Sequence, residues 1–376
     1  MKGALTLSLL VLAFLATGCG GGRSSPVPAA GEGRTDGAAA GLQVPEAGWE
    51  TDFAKHTVPL DEFQSGGPGK DGIPALGDPD LVSVTTADTW LAPREPVIEL
   101  VVAGQARAYP LEILVWHEIV NDVLAGTPVA VTFCPLCNTA LVFDRRINGR
   151  RLWFGTTGNL RNSDLVMYDR QTESWWQQFG GEAVVGEFAG RNLRQLPARI
   201  VAWDDFARRH PDGLVVSRHT PYERAYGSNP YTGYDSVDSP PWFPAANADD
   251  KRLPPKERVV FIERKEGAVA VPLSWLANQK RAIVGVGGER LEVVFAGTAN
   301  SALDSGDIAE GRRVPSAKVR SLVTGDAVAF DEPFWFAVAA FRPGVRIVGR
   351  SVAANAAHPR PAPTPKGPTT GRFIPH

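Results

Sequence analysis

The chain has 376 residues, 41 acidic against 39 basic, and a formal net charge of −2. Its 43% hydrophobic and 21% charged residues are the balance of a globular protein, which excludes a disordered or coiled-coil chain. Near-neutral charge without a long basic block argues against nucleic acid as the main partner, and 39 glycines and 31 prolines favour turns and short strands over a helical bundle.

Met1-Lys2-Gly3, the apolar run 4–16 and Thr17-Gly18-Cys19 read as an export signal with a small-residue cleavage site. The run is shorter than the about 20 residues that a membrane span needs. Leu15-Ala16-Thr17-Gly18-Cys19 resembles the bacterial lipobox. That resemblance implies cleavage before Cys19 and a lipid on its sulfur and new amino end, so a signal peptide over 1–18. Gly20 rather than Asp follows, which points to the outer membrane, facing the periplasm, in a Gram-negative cell envelope. An ordinary signal peptide with an incidental cysteine is the plainer alternative. Residues 19–44 are rich in Gly, Ala, Ser and Pro and read as a flexible tether, and 353–376, with His358 and His376, as a disordered tail.

Between them the sequence repeats itself. Residues 97–141 align without a gap on 259–303, an offset of 162, and twelve of the 45 positions are identical, where chance gives about three. The expected fold is therefore β-rich α+β, in two tandem related units, 45–250 and 251–352. In the first unit, Val97 to Val102 is a β-rich apolar run. Leu111 to Val123 has near-helical apolar spacing, stopped by Gly126. Val129, Val131 and Phe133 alternate with Ala130 and Thr132, a strand with one buried face. Asn148-Gly149, between Leu141–Asp144 and Arg151–Phe154, marks a hairpin.

Identical positions in the repeat are best explained by fold, and positions where one copy alone carries chemistry are candidates for function. The first copy has Trp116-His117-Glu118 where the second has Asn278-Gln279-Lys280. It has Cys134-Pro135-Leu136-Cys137 where the second has Ala296-Gly297-Thr298-Ala299. Of three cysteines, one is assigned to lipid and two form this CxxC. Two sulfurs at that spacing close a disulfide or share a metal ion. In an oxidising compartment the pair is oxidised, kept reduced by a partner protein, or metal-bound. A structural disulfide remains open, although so small a loop removes little chain entropy.

Redox use fits if something lowers a thiol pKa, and His117 and Arg145-Arg146 are the candidate sources of positive charge. The count excludes a four-cysteine zinc site. Cys134, Cys137 and His117 are an alternative site for zinc, or for Cu(I), which suits thiolates. His117 on an apolar helix also reads as an ordinary boundary residue, and Glu118 as a solvated carboxylate. Residues 155–164 read as a turn or a polar pocket wall. Asp164, Asp169 and Glu173 with Trp175-Trp176 suggest an acid-and-aromatic wall, and charge and packing explain them equally well. Tyr222 to Tyr234, including Tyr231, is an aromatic, turn-rich loop that covers a cleft or simply packs. Asn138 joins Trp116, Glu118, Arg145, Asp164, Asp169, Trp175 and Tyr231 as a candidate cleft residue.

The strings AYPLEILVWHEIVND, TFCPLCNTALVFDR, NSDLVMYDRQTESWWQQF and YGSNPYTGYD together resemble the bacterial domain-of-unknown-function family 3179. Exported or lipid-anchored members of that family agree with the address read above. Members with selenocysteine in place of a motif cysteine imply chalcogen reactivity at Cys134 or Cys137. The sequence thus leads to a lipid-anchored envelope protein with thiol–disulfide redox activity at Cys134/Cys137, Cys134 attacking. Metal binding or delivery is one alternative, and a non-catalytic envelope interaction protein with a structural disulfide is another.

Overall fold

A computed structural model describes residues 48–349. The export signal, Cys19, the tether and the tail lie outside the described residues. The described chain is β-rich with few helices, and none of its α-helices exceeds seven residues. No helix among the described residues is long and apolar enough to cross a membrane.

The apolar run at the start of the repeat forms the strand Pro96–Val102, which turns at Ala103-Gly104, both at positive φ, into Gln105–Pro110. That turn geometry matches the right-handed twist of paired strands. A helix follows, but it covers only Leu111–His117. Glu118 at φ +56° ends it, and the remaining apolar residues form the strand Ile119–Leu124. The expected helix to Val123 is thus half strand, because Ile119, Val120 and Val123 satisfy either period and are β-branched. Ala125-Gly126 then turns the chain into Thr127–Cys134.

That last strand is buried on both faces from Pro128 to Cys134, not on one. It is the middle of a five-stranded sheet in the order 194–196, 139–144, 127–134, 119–124, 76–77. Asn148-Gly149 caps a hairpin of two-residue strands, Arg146–Ile147 and Arg150–Arg151. The stretch read as a turn or pocket wall is instead the strand Phe154–Arg161, followed by a tight turn at Asn162-Ser163, both at positive φ. The chain then returns as Asp164–Asp169 and pairs on with Trp175–Gln177.

The second half follows the same order. Its strands Val259–Arg264 and Gly267–Pro272, helix Leu273–Gln279 and strand Arg281–Val286 fall 162 residues after their counterparts, to within a residue. Each half closes its first sheet with a parallel strand after a further helix: Leu214 pairs with Arg107, and Arg346 with Val269. The halves diverge after Phe133 and Phe295. The first turns back so that Cys134 pairs with Thr139, whereas the second continues to Asn300 along the strand 313–321. The largest apolar cluster runs from Leu76 to Ile347, and both motif cysteines belong to it.

Candidate functional site

Cys134 ends a central strand and Cys137 lies in the four-residue turn that follows. Neither is on the surface: Cys134 is 1% and Cys137 0% exposed, and both are free thiols. Asn138 holds the turn. Its φ of +57° suits asparagine better than most residues, and its Nδ2 donates to the Glu332 carbonyl at 2.7 Å. The Asp331 carboxylate accepts from the Ala140 N–H at 3.0 Å, and Phe334 N–H donates to the Cys137 carbonyl at 2.9 Å. The 331–335 segment thus braces the turn from one side, and Tyr234 Oη donates to the Leu136 carbonyl at 2.7 Å from the aromatic loop.

Asp164 sits beside the sulfurs. The hairpin at Asn162-Ser163 delivers it fully buried, and the Cys137 thiol donates to its Oδ1 at 2.7 Å. Thr139 Oγ1 lies 2.9 Å from the same sulfur. The other Asp164 oxygen accepts from the Phe179 N–H at 2.9 Å and from Gln177. Burial pushes the Asp164 carboxyl up to about 6, against the hydrogen bonds from Cys137, Phe179 and Gln177. Glu118 is buried as well and is not the solvated carboxylate expected. Burial, with Asp164 adding to it, raises Glu118 to about 8. Burial also raises both thiols, Cys137 well above its ordinary value and Cys134 less, because hydrogen bonds from Cys137 oppose the rise at Cys134.

Three expectations are corrected here. His117 is not a partner of the cysteines: its ring is held between the Pro74 carbonyl and Tyr226 Oη, each at 2.7 Å. A carbonyl only accepts, so Nδ1 carries the proton and Nε2 takes the tyrosine hydrogen. Burial, opposed by the Pro74 bond and reinforced by Arg224, lowers His117 to about 4, so it is neutral. Arg145 supplies no charge to the thiols either. Its guanidinium donates to the carbonyls of Leu152 and Asp122, burial lowers it to about 10, and Arg146 is paired with Asp144. The acid-and-aromatic wall also separates. Asp169 accepts from Trp176 Nε1 and Thr172, and Trp175 packs among Phe63, Phe53 and Trp49, both away from the dithiol.

Tyr231, half-buried, lies near Glu118 and Cys134, whose charges with burial push its hydroxyl well up. Trp116 is half-buried, with Nε1 unpartnered among the described residues. Sequence reasoning did not single out Thr139, Gln177, Gln178, Asp331 and Glu332. Gln178 bridges Thr132 and Thr139, and burial pushes Asp331 up to about 7 and Glu332 to about 8. The one available signal was polarity at strand positions otherwise apolar, as in Trp175-Trp176-Gln177-Gln178.

A β-rich protein that keeps two thiols and two carboxylates together inside its core is the class these features define. A family model described as "protein of unknown function (DUF3179)" matches residues 70–345, and the chain belongs to that family. No curated protein and no solved structure matches it significantly.

Proposed function

We propose that the protein is a thiol–disulfide redox protein of the cell envelope, with Cys134 as attacking thiol and Cys137 as resolving thiol. The observation that carries this reading is the 2.7 Å bond from Cys137 to the buried Asp164 carboxylate, which gives the resolving thiol an internal proton acceptor. Cys134 attacks one sulfur of a partner disulfide, and the partner's second sulfur leaves as a thiol with the Cys134 proton. Asp164 then takes the Cys137 proton while Cys137 displaces the remaining partner sulfur from Cys134, and the departing thiolate takes that proton from Asp164. One disulfide forms, one breaks, and the partner gains two electrons. Burial of both sulfurs requires that some of the surrounding chain move or that the reactant be small. The test is a redox titration of the full chain with alkylation of free thiols. A reversible two-electron couple above about −300 mV supports the reading, and a pair that stays fixed in either state overturns it.

The address is proposed on the Leu15–Cys19 string: a lipid on Cys19 anchors the chain to the envelope membrane. Cys19→Ser is expected to release the protein from the membrane fraction, and retention there counts against the anchor. An internal duplication is proposed from the shared offset of 162, which holds for strand, strand, helix and strand in turn.

A further inference from the structure

The dithiol, Asp164 and Glu118 form a group of acids without a counter-charge, and that composition is the starting point. Cys134 Sγ, Cys137 Sγ and an Asp164 oxygen all lie within 4.8 Å of one another, and all three residues are buried. A tetrahedral Zn²⁺ bound to sulfur at about 2.3 Å and to carboxylate oxygen at about 2.0–2.2 Å sets its ligands about 3.6–3.8 Å apart. The present 2.7 Å contact is a hydrogen bond, and replacing its proton by an ion requires widening by about 1 Å. Glu118 is 6% exposed as a residue and stands outside this group of ligand atoms.

We infer that the reduced pair forms a metal site in which Cys134, Cys137 and Asp164 ligate a Zn²⁺ ion, with the fourth position left to water or a small exogenous ligand. The donor set selects the metal. Cu(I) is satisfied by sulfur alone, whereas two thiolates with a hard carboxylate suit zinc. His117 is outside the site because both ring nitrogens are already bonded. The inference rests on the redox reading only in requiring that the cysteines be available as thiols; closing the disulfide removes two of the ligands.

The experiment uses the full chain, reduced and freed of metal, titrated with Zn²⁺ against a chromophoric chelator and separately with Co²⁺. One Zn²⁺ per chain and a Co²⁺ charge-transfer band of two-thiolate intensity are expected. Asp164→Asn is expected to weaken binding by tenfold or more, Cys137→Ser to abolish it, and His117→Gln to leave it unchanged. Thermal melts of the metal-free variants separate lost folding from lost binding, and the wild-type cobalt band needs no variant. Sub-stoichiometric uptake by folded, reduced wild type overturns the inference, as does a missing thiolate band or binding that survives Cys137→Ser. The disulfide couple is measured in chelator, so its presence without zinc uptake removes the metal site alone, and its absence removes the redox reading alone.

Discussion

Glu118 and Lys280 occupy equivalent places 162 residues apart. Each ends a seven-residue helix at positive φ, +56° and +66°, and each donates its N–H to the carbonyl four residues back. The backbone carbonyls of Glu118 and Lys280 then accept from the N–H of a phenylalanine in a neighbouring strand, Phe133 and Phe295. The side chains part company: Lys280 is exposed, with its ammonium 4.4 Å from the Phe295 ring centroid, while Glu118 is buried beside the dithiol.

Both residues hold a conformation that glycine adopts without strain, so each site is expected to gain from glycine. Lys280→Gly is expected to raise stability by about 0.5–1 kcal/mol through the backbone alone. Glu118→Gly is expected to gain about 1–2 kcal/mol, since it also removes a carboxyl whose ionised form burial disfavours. Urea midpoints of the metal-free proteins measure the difference. A lower midpoint for Glu118→Gly means the carboxylate has a structural role not visible in its contacts.

Asn138 acts through backbone and side chain together, and two substitutions separate them. Asn138→Gly keeps the positive φ and loses only the bond to Glu332, costing about 1 kcal/mol. Asn138→Ala loses both and is expected to cost about 2–3 kcal/mol. Equal losses in denaturant melts count against a backbone contribution.

The sequence contrast at 116–118 and 134–137 across the offset of 162 singled out the CxxC turn and Glu118, and Asp164 was visible as a candidate acid. The ligand-like grouping was not legible, because Asp164 reaches the cysteines through a hairpin whose register depends on two positive-φ residues at 162–163. His117 misled for a related reason. A histidine ending an apolar helix looks like a ligand until the Pro74 carbonyl and Tyr226, 43 and 109 residues away, are placed against its ring. Strand 127–134 kept its position but not its one-sided burial, since alternating Ala and Thr are small enough to be covered on the second face.

Two carboxyls away from the dithiol shape the pH dependence of stability in opposite directions. Burial alone would raise Asp144, but bonds from Arg146 and Arg194 outweigh it and hold it at about 2. Its contribution is present above about pH 3.8 and is lost as pH falls towards 2. Burial raises Glu95 from 4.5 to about 7, against the Ala92 N–H bond and with Glu112 adding to the rise. The folded state therefore holds that proton more tightly, and stability falls as pH rises from about 4.5 through 7. Glu95→Gln keeps the acceptor for Ala92 and is expected to raise stability at pH 8 by on the order of 2 kcal/mol, with little change at pH 4. Thermal melts across pH check this, and a uniform shift at both pH values counts against titration of Glu95.

The Tyr234 hydroxyl is the direct tie between the aromatic cover and the CxxC turn, through the Leu136 carbonyl at 2.7 Å. The ring itself is fixed independently: Lys256 Nζ lies 3.5 Å from its centroid and Trp242 meets it edge-on at 4.4 Å. Tyr234→Phe thus keeps the packing and removes one hydrogen bond, leaving the Leu136 carbonyl without that donor. The expected loss of global stability is about 1–2 kcal/mol. If the cover controls access to the sulfurs, local opening is favoured by a similar amount, and alkylation of the reduced thiols by a small reagent is expected to quicken by about tenfold. Tyr226→Phe is the comparison, since it loosens the same segment at His117, away from the turn. Faster alkylation in Tyr234→Phe than in Tyr226→Phe, at matched denaturant midpoints, assigns access to the Leu136 contact. Equal rates would show instead that the thiols react only when the whole domain unfolds.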